Sequence, residues 1–168
     1  MGVFGAAAAG LAGVGAALGL GRRSPRPKVV AGTVRTVESY GSEQLQRGEW
    51  WLPPGEHSRD GRLPTVVMVH GGYWRPTYDR SLEDAVAADL AGRGYLVWNL
   101  DYRAADVPWP ATLLDAAAGY DHLVRGRYAA RVATSRTAVV GHSAGGQLAL
   151  WLASRSKLPA GAPGAAPA

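Results

Sequence analysis

From about residue 29 onward, short continuous apolar runs alternate with stretches in which apolar residues recur every three or four positions. The continuous runs lie at residues 65–69, 95–100 and 137–140, and the first of them is rich in β-branched residues. Runs of this length without polar alternation are typical of parallel strands that are covered on both faces. Two earlier strands are predicted at residues 29–37 and 49–52, the second of which is ended by Pro53-Pro54-Gly55.

The stretches that connect the later runs predict crossover helices. Ser81 and Asp84 have the spacing of a capping box, and an apolar stripe follows them until Gly92. Thr112 and Asp115 repeat that spacing before a second apolar stripe. Since strands that alternate with helices form βαβ units, we expect an α/β fold with a mostly parallel sheet and flanking helices.

Two glycine-rich motifs follow strands of this predicted sheet. Residues 70–74 read His-Gly-Gly-Tyr-Trp and follow the first of the three continuous runs, whereas residues 141–146 read Gly-His-Ser-Ala-Gly-Gly and follow the last. Ligands of open α/β sheets bind at the carboxyl ends of the strands. The two motifs are therefore expected to lie together at one functional edge.

The second motif has the pattern of a serine held for nucleophilic attack. Ser143 lies between Gly141 and Gly145, and small residues at these positions permit a tight turn from strand to helix. Attack on an acyl carbonyl produces an oxyanion, which the Ala144 N–H at the start of the helix could stabilise. His142 is adjacent to the serine in the turn and is interpreted as a structural neighbour rather than as its base.

The first motif supplies candidates for a second oxyanion donor. A glycine pair lets the backbone pass close to a substrate with its N–H groups turned inward. The candidate oxyanion loop is formed by Gly71, Gly72 and Tyr73, with the donor itself expected at Gly72 or Tyr73. We expect His70 to orient this loop by hydrogen bonding.

Taken together, the two motifs resemble the α/β-hydrolase superfamily, specifically its esterase, lipase and kynurenine-formamidase group. The resemblance covers residues 29–157, where the order of strands, helices and motifs is similar to that of the family. It implies a serine hydrolase that acts on carboxylic esters through an acyl-enzyme. Because Tyr73 and Trp74 follow the glycines, the motif is also similar to the His-Gly-Gly-x-Trp of arylformamidases, so a small-molecule ester and an aryl formamide both remain candidate substrates.

The same resemblance implies a triad in which an acid and then a histidine follow the serine. Residues 144–168 contain no Asp, Glu or His, so neither triad partner is found in this chain at its expected place. Asp101 and Arg103 are interpreted as a structural ion pair below the site. We therefore expect the N-terminal portion of a hydrolase, poorly active by itself, and the alternative of another class is a non-catalytic binding or membrane-tethered scaffold.

The composition argues against several other classes of partner and site. Four of the 18 basic residues and none of the 13 acidic ones lie in residues 1–28, so the rest of the chain is close to neutral and a nucleic-acid partner is not expected. The chain has no cysteine, which excludes thiolate metal sites, and nothing in the sequence calls for a metal or a cofactor.

The two ends of the chain differ in composition from the predicted domain. Residues 2–21 are uncharged and rich in Gly and Ala, and they admit three interpretations: a membrane anchor, a signal peptide or an unstructured N-terminus. Under the first and third, the domain is expected in the cytoplasm. Residues 1–28 are thus predicted to be an apolar segment with a basic Pro linker, and residues 158–168 a disordered Pro/Ala/Gly-rich tail.

Overall fold

The computed structural model describes residues 27–55, 61–104 and 106–166. Over these residues the strands are β1 (Val34–Ser39), β2 (Arg47–Leu52), β3 (Leu63–Val69), β4 (Leu96–Leu100) and β5 (Val132–Gly141). The α-helices are α1 (Asp84–Gly92), α2 (Ala111–Asp121) and α3 (Ala144–Ser154). Short 3-10 turns lie at Arg80–Glu83, His122–Val124, Ala129–Arg131 and Arg155–Lys157.

The described strands form one sheet in the order β1-β2-β4-β3-β5. The pairs β1–β2 and β2–β4 are antiparallel, whereas β4–β3 and β3–β5 are parallel. The expected α/β fold, with parallel strands where the crossover helices occur, is confirmed. The continuous apolar runs form the centre of the sheet because a parallel strand needs cover on both faces.

The core has two layers, one on each face of the sheet, because successive side chains of a strand point to opposite faces. One layer contains Trp50 and Trp98, whose ring centroids are 4.5 Å apart, and it packs under α2 and α3. The indole of Trp98 donates a 2.9 Å hydrogen bond to the Gly119 carbonyl of α2. The other layer contains Trp51 and Met68 and is covered by the alanine-rich face of α1.

Both predicted capping boxes are wrong. The Asp79 carboxylate accepts a 2.9 Å hydrogen bond from the Ser81 N–H and begins a 3-10 turn, so that α1 starts only at Asp84. The Thr112 hydroxyl donates a 2.8 Å hydrogen bond to the Arg103 carbonyl instead of capping α2. The Ser81 backbone is thus bound within its own turn and the Thr112 hydroxyl by a carbonyl outside α2, so neither side chain caps a helix.

The first strand is shorter than predicted at its start. The Thr33 N–H donates to the Val30 carbonyl in a turn, in which Gly32 has a φ of 86°. A turn of this hand favours glycine. The chain therefore enters the sheet at Val34 rather than at Val29.

The predictions for the two ends of the chain concern residues that are only partly described. Residues 2–21 lie outside the described residues, and within the described ranges no helix has the length and apolar content needed to cross a bilayer. Residues 158–166 form turns, and the Arg155 guanidinium donates to the carbonyls of Gly164 and Ala165. The domain boundaries, including the disordered tail, stay predictions.

Candidate active site

Three strands end at the same level of the sheet. Val69 of β3 is paired with Leu100 of β4 on one side and with Gly141 of β5 on the other. The residues that follow these three positions therefore emerge side by side. The two glycine-rich motifs lie next to each other at this edge, as the order of elements predicts.

At the end of β5 the backbone makes a strained turn. Ser143 is exposed and has φ 53° and ψ −118°, a conformation that L-residues other than glycine rarely adopt. A Cβ added to Gly141 would collide with the backbone of Gly145, and one added to Gly145 would collide with the carbonyl oxygens of Val69 and His70. The turn is this tight because neither glycine carries a side chain.

Helix α3 begins directly after the serine. Ala144 is its first residue and is buried, and the first N–H groups of a helix have no partner within the helix. The Ser143 side chain makes no capping hydrogen bond to this helix. The N–H groups of Gly145 and Gly146 donate to the carbonyls of His142 and Ser143, so it is the Ala144 N–H that lies beside the hydroxyl at the exposed edge.

The loop after β3 is also unusual in its backbone. Gly72 has a φ of 114°, and Tyr73 and Trp74 have φ values of 56° and 54°. The values of the two aromatic residues are close to that of a left-handed helix. The Arg75 N–H donates a 3.0 Å hydrogen bond to the Gly72 carbonyl and closes the turn. The Tyr73 side chain is 74% exposed, so the main chain rather than packing of its ring holds this residue in place.

The two loops touch at Gly71. A Cβ added there would lie 2.7 Å from the His142 carbonyl oxygen and 3.3 Å from the Ser143 Cβ. The loop that was predicted to stabilise an oxyanion therefore lies directly against the serine. The structure brings together His70, Gly71, Gly141, Ser143 and Gly145 at this contact.

His70 is buried beneath the loop and is neutral. Its Nδ1 lies 2.7 Å from the Gly71 carbonyl oxygen, and since that oxygen can only accept, Nδ1 carries the proton. The ring stacks on Tyr102 with centroids 4.3 Å apart, and the Tyr102 hydroxyl donates a 2.7 Å hydrogen bond to the His70 carbonyl. Burial lowers the pKa of His70. The hydrogen bond from Nδ1 is the kind of contact that was expected to orient the loop.

The expected ion pair between Asp101 and Arg103 is wrong. Asp101 is buried and accepts hydrogen bonds from the Arg80 N–H at 2.7 Å and from the Arg80 guanidinium. Arg103 binds Asp115 instead, through two guanidinium nitrogens at 2.8 Å and through its own backbone N–H. Each carboxylate thus pairs with an arginine that donates to it from both its backbone N–H and its guanidinium.

These pairings set the charge of Asp115. Burial raises the pKa of the Asp115 carboxyl, but the hydrogen bonds from Arg103 and Gln46 outweigh that effect, and the pKa lies below its ordinary value. The carboxylate therefore stays charged at neutral pH and ties the loop after β4 to α2. The Asp101 Oδ1 also lies 4.0 Å from the unpartnered Nε2 of His70.

Sequence reasoning missed Glu83, which lies at the junction of the 3-10 turn and α1. Burial raises the pKa of its carboxyl, an effect that the neighbouring His142 and Gly71 only partly offset. Glu83 is twelve positions from Gly71 in the sequence, and its acidic side chain near a helix start resembles an ordinary surface residue. No sequence signal separates it from the other acids of α1.

The polar groups of this edge are a serine hydroxyl and backbone hydrogen-bond donors. Over residues 27–55, 61–104 and 106–166, no three His, Asp or Glu side chains are grouped so that they could hold a metal ion. Among those same residues, Ser143 Oγ makes no hydrogen bond to a histidine or a carboxylate. The described part of the chain thus presents a serine and backbone N–H groups without a base in contact.

Comparison with known proteins yields several esterases. Carboxylesterase NlhH of Mycobacterium tuberculosis is 33% identical over 132 residues, which cover 77% of this chain and 40% of that protein. Esterase B from Lactobacillus rhamnosis superposes with a TM-score of 0.69 at 25% identity, over 80% of this chain and 43% of that one. The hyperthermophilic esterase from Pyrobaculum calidifontis gives a TM-score of 0.57 at 30% identity, over 66% and 35% of the two chains.

The chain thus spans about 40% of the length of the curated relatives that it matches. A family model described as BD-FAE matches residues 52–159, a stretch that includes β3, both glycine-rich loops and α3. This match extends over more than half of the chain and agrees with the superposed esterases. The chain belongs to the BD-FAE family, and its fold is that of the α/β-hydrolase esterases.

Proposed function

We propose that the edge formed by the two loops is the active site of a serine hydrolase that acts on carboxylic esters. The observation that carries the proposal is the conformation of Ser143, which is exposed at φ 53° between β5 and α3. Strained residues of this kind persist where surrounding structure over-determines them, and they cluster at active sites. The oxyanion loop lies against the same residue, with Gly71 next to the Ser143 Cβ.

The names of the relatives support an ester as the substrate. NlhH is a carboxylesterase, and Esterase B from Lactobacillus rhamnosis has been solved with a tributyrin phosphonate as inhibitor. These properties belong to those proteins. We extend the ester class to this chain because the matched segment contains the serine turn and the loop that faces it.

In the proposed reaction, Ser143 Oγ attacks the ester carbonyl carbon and its proton passes to a base. The carbonyl oxygen becomes an oxyanion, which accepts hydrogen bonds from the Ala144 N–H and from the N–H of Gly72 or Tyr73. Collapse of this intermediate breaks the bond to the alcohol, which leaves with the proton. Water then attacks the acyl-enzyme by the same route and releases the acid.

In this proposal the base is the histidine of an Asp/His pair that is not among the 168 residues of this chain. The His70 Nδ1–H donates a hydrogen bond to the Gly71 carbonyl, and the ring stacks on Tyr102 beneath the loop rather than over the serine. A serine without a base is a poor nucleophile, and loss of a triad member leaves only the contribution of binding and the oxyanion hole. We therefore expect weak turnover from the described machinery alone.

A fluorophosphonate probe tests the proposal on the 168-residue chain. We expect slow covalent labelling that disappears in Ser143→Ala, with Ser154→Ala as the matched control because Ser154 lies at the far end of the same helix. A chain that hydrolyses N-formylkynurenine faster than p-nitrophenyl acetate would move the substrate class to aryl formamides. Labelling that survives in Ser143→Ala, or no labelling at any probe concentration, would overturn the proposal in favour of a non-catalytic scaffold.

A further inference from the structure

The loop after β3 has both of its ends next to the carboxyl end of β4. It comprises residues 71–79 and includes the candidate oxyanion loop at its start. The loop leaves the sheet at His70, which follows β3, and it ends at Arg80, where the 3-10 turn before α1 begins. Asp101 directly follows β4, the neighbour of β3 in the sheet. The side chain of Asp101 therefore lies near both ends of the loop.

The far end of the loop is bound through the backbone and the side chain of Arg80. The Arg80 N–H donates a 2.7 Å hydrogen bond to Asp101 Oδ1, and the guanidinium donates to Oδ2 of the same carboxylate. The Arg80 carbonyl accepts a 2.9 Å hydrogen bond from the side-chain amide of Asn99 in β4. Asp101 and Asn99 are both buried. This end of the loop therefore cannot shift without breaking hydrogen bonds to buried groups.

The near end of the loop is held by the residue that follows Asp101. The Tyr102 hydroxyl donates a 2.7 Å hydrogen bond to the His70 carbonyl, and the two rings stack. Asp101 Oδ1 itself lies 4.0 Å from His70 Nε2, a buried nitrogen without a hydrogen-bond partner. Two consecutive residues thus fix the two ends of one loop.

Asp101 is in turn fixed to the antiparallel part of the sheet. Its N–H donates a 2.9 Å hydrogen bond to the Arg47 carbonyl of β2, and its carbonyl accepts a 2.7 Å hydrogen bond from the Tyr40 hydroxyl. Its side chain is 1% exposed, so it cannot touch a substrate. What Asp101 can do is to transmit the position of the rigid sheet to the end of the loop.

We propose that Asp101 is a positioning residue of this site: its carboxylate fixes the Arg80 end of the loop and so holds the oxyanion donors against Ser143. The inference rests on the proposed function for its catalytic consequence. Gly71, at the start of the loop, already lies against the serine, because a Cβ added there would be 3.3 Å from the Ser143 Cβ. A loop released at Arg80 keeps this first contact but loses the fixed path of the N–H groups that follow it.

The kinetics of fluorophosphonate labelling test the catalytic consequence. Asp101→Ala should lower the rate constant at saturating probe by about 10- to 100-fold, because a displaced oxyanion donor costs transition-state stabilisation. The apparent affinity for the probe should change by less than about threefold, since the donor contributes little to ground-state binding. Asp101→Asn keeps an oxygen acceptor for the Arg80 N–H and should recover part of the lost rate.

Asp121→Ala is the matched control for the loss of an aspartate–arginine pair. Asp121 is the last residue of α2 and binds Arg155 through two hydrogen bonds of 2.8 Å, without contact to the loop after β3. Rates are compared per folded chain, with the folded fraction measured by circular dichroism. Equal rates for Asp101→Ala and Asp121→Ala would overturn the inference. Should Asp101→Ala fail to fold, Asp101→Asn and Asp121→Asn decide by the same criterion.

Hydrogen exchange separates this inference from the proposed function, because it needs no turnover. The Arg75 N–H donates a 3.0 Å hydrogen bond within the loop, and the Gly145 N–H donates a 2.9 Å hydrogen bond within the turn that carries the serine. In Asp101→Asn the Arg75 amide should exchange at least about tenfold faster relative to the Gly145 amide. In Asp121→Asn the ratio of the two rates should equal that of wild type, since a global loss of stability speeds both amides.

The two measurements fail in different ways. An unchanged ratio of exchange rates in Asp101→Asn overturns the inference even if Ser143 is labelled. A raised ratio in a chain that is never labelled leaves the support of the loop standing and removes the esterase.

Discussion

The two loops of the site are held in opposite ways. The turn at residues 141–145 that carries Ser143, called the elbow below, is located by main-chain packing, because Gly141 and Gly145 bring the backbone of α3 against β5 and against the carbonyls of Val69 and His70. The candidate oxyanion loop is located by side chains, which come from two separate segments of the chain. The His70 ring donates to the Gly71 carbonyl, and the Tyr102 hydroxyl donates to the carbonyl of His70, the residue that begins the loop.

This difference implies different sensitivities to mutation. A turn that depends on the absence of side chains has no room to relax, because the atoms it meets are backbone atoms of the central strand. A loop held by several hydrogen bonds can lose one and keep the others. We therefore expect abrupt failure from changes in the elbow and graded losses from changes beneath the loop.

The largest expected effect comes from Gly145→Ala. Its new methyl group would meet the carbonyl oxygens of Val69 and His70, and displacing the backbone of a central strand should cost about 3 kcal/mol or more of the free energy of unfolding. The loss is measured by urea denaturation, and labelling of Ser143 should fall with it.

The neighbouring glycine provides the control for that substitution. A Cβ added to Gly146 would lie 3.2 Å from the Gly141 carbonyl oxygen and meet little else, while alanine is favoured over glycine within a helix by about 1 kcal/mol. Gly146→Ala should therefore stay within about 1 kcal/mol of wild type. If the two variants unfold at the same urea concentration, the elbow is not held by its main chain.

The same contrast explains which parts of the site could be predicted. The elbow is local: glycines, serine and the strand before them are consecutive, and the predicted strand at residues 137–140 lies within the observed β5. The motif therefore places Ser143 from the sequence alone. The predicted strands at residues 65–69 and 95–100 likewise match β3 and β4 to within two residues, because short apolar runs bounded by turn residues are typical of buried strands.

Of the contacts that support the oxyanion loop, only the hydrogen bond from the adjacent His70 was expected, because the other contacts come from residues distant in sequence. Tyr102 lies 32 positions after His70, and they meet only because β3 and β4 are paired in parallel at their carboxyl ends. The partner of Asp101 was misassigned for the same reason, since Arg80 precedes α1 and lies 21 positions before Asp101 in the sequence. Local spacing also failed for Ser81 and Thr112: Asp79 binds the Ser81 N–H and starts a 3-10 turn, and the Thr112 hydroxyl donates to the Arg103 carbonyl.

A smaller effect is expected from Tyr102→Phe, which removes one side-chain support of the loop. The hydroxyl donates a 2.7 Å hydrogen bond to the buried His70 carbonyl, whereas the ring keeps its stacking on the imidazole. Loss of one hydrogen bond to a buried acceptor should cost about 1 kcal/mol in the free energy of unfolding. Tyr95→Phe is the control, because Tyr95 is partly exposed outside the site.

That variant also separates the two loops functionally. The elbow keeps all of its main-chain contacts, so labelling of Ser143 should slow by a few fold rather than stop. Complete loss of labelling with little loss of stability would mean that the loop tolerates no missing bond, and the proposed contrast between the loops would be wrong.

The smallest expected effect is the pH dependence that His70 imposes on stability. Burial lowers the pKa of His70 in the folded chain, whereas an unfolded histidine titrates near its ordinary pKa of about 6.5. The unfolded state therefore binds the proton first, and the stability contributed by the neutral ring is lost as the pH falls below about 6.5. Between about pH 7.5 and about pH 6 the loss from this one group is at most about 0.8 kcal/mol.

His70→Asn isolates that contribution, because the amide of asparagine can still donate to the Gly71 carbonyl but does not titrate. The variant should lose stability at both pH values, yet the difference between them should be smaller than in wild type by the amount assigned to His70. The other histidines are unchanged and cancel in this comparison. An identical pH slope in the two proteins would mean that His70 accepts a proton as readily in the folded chain as in the unfolded one, against its burial and against the role of a neutral Nδ1–H donor under the loop.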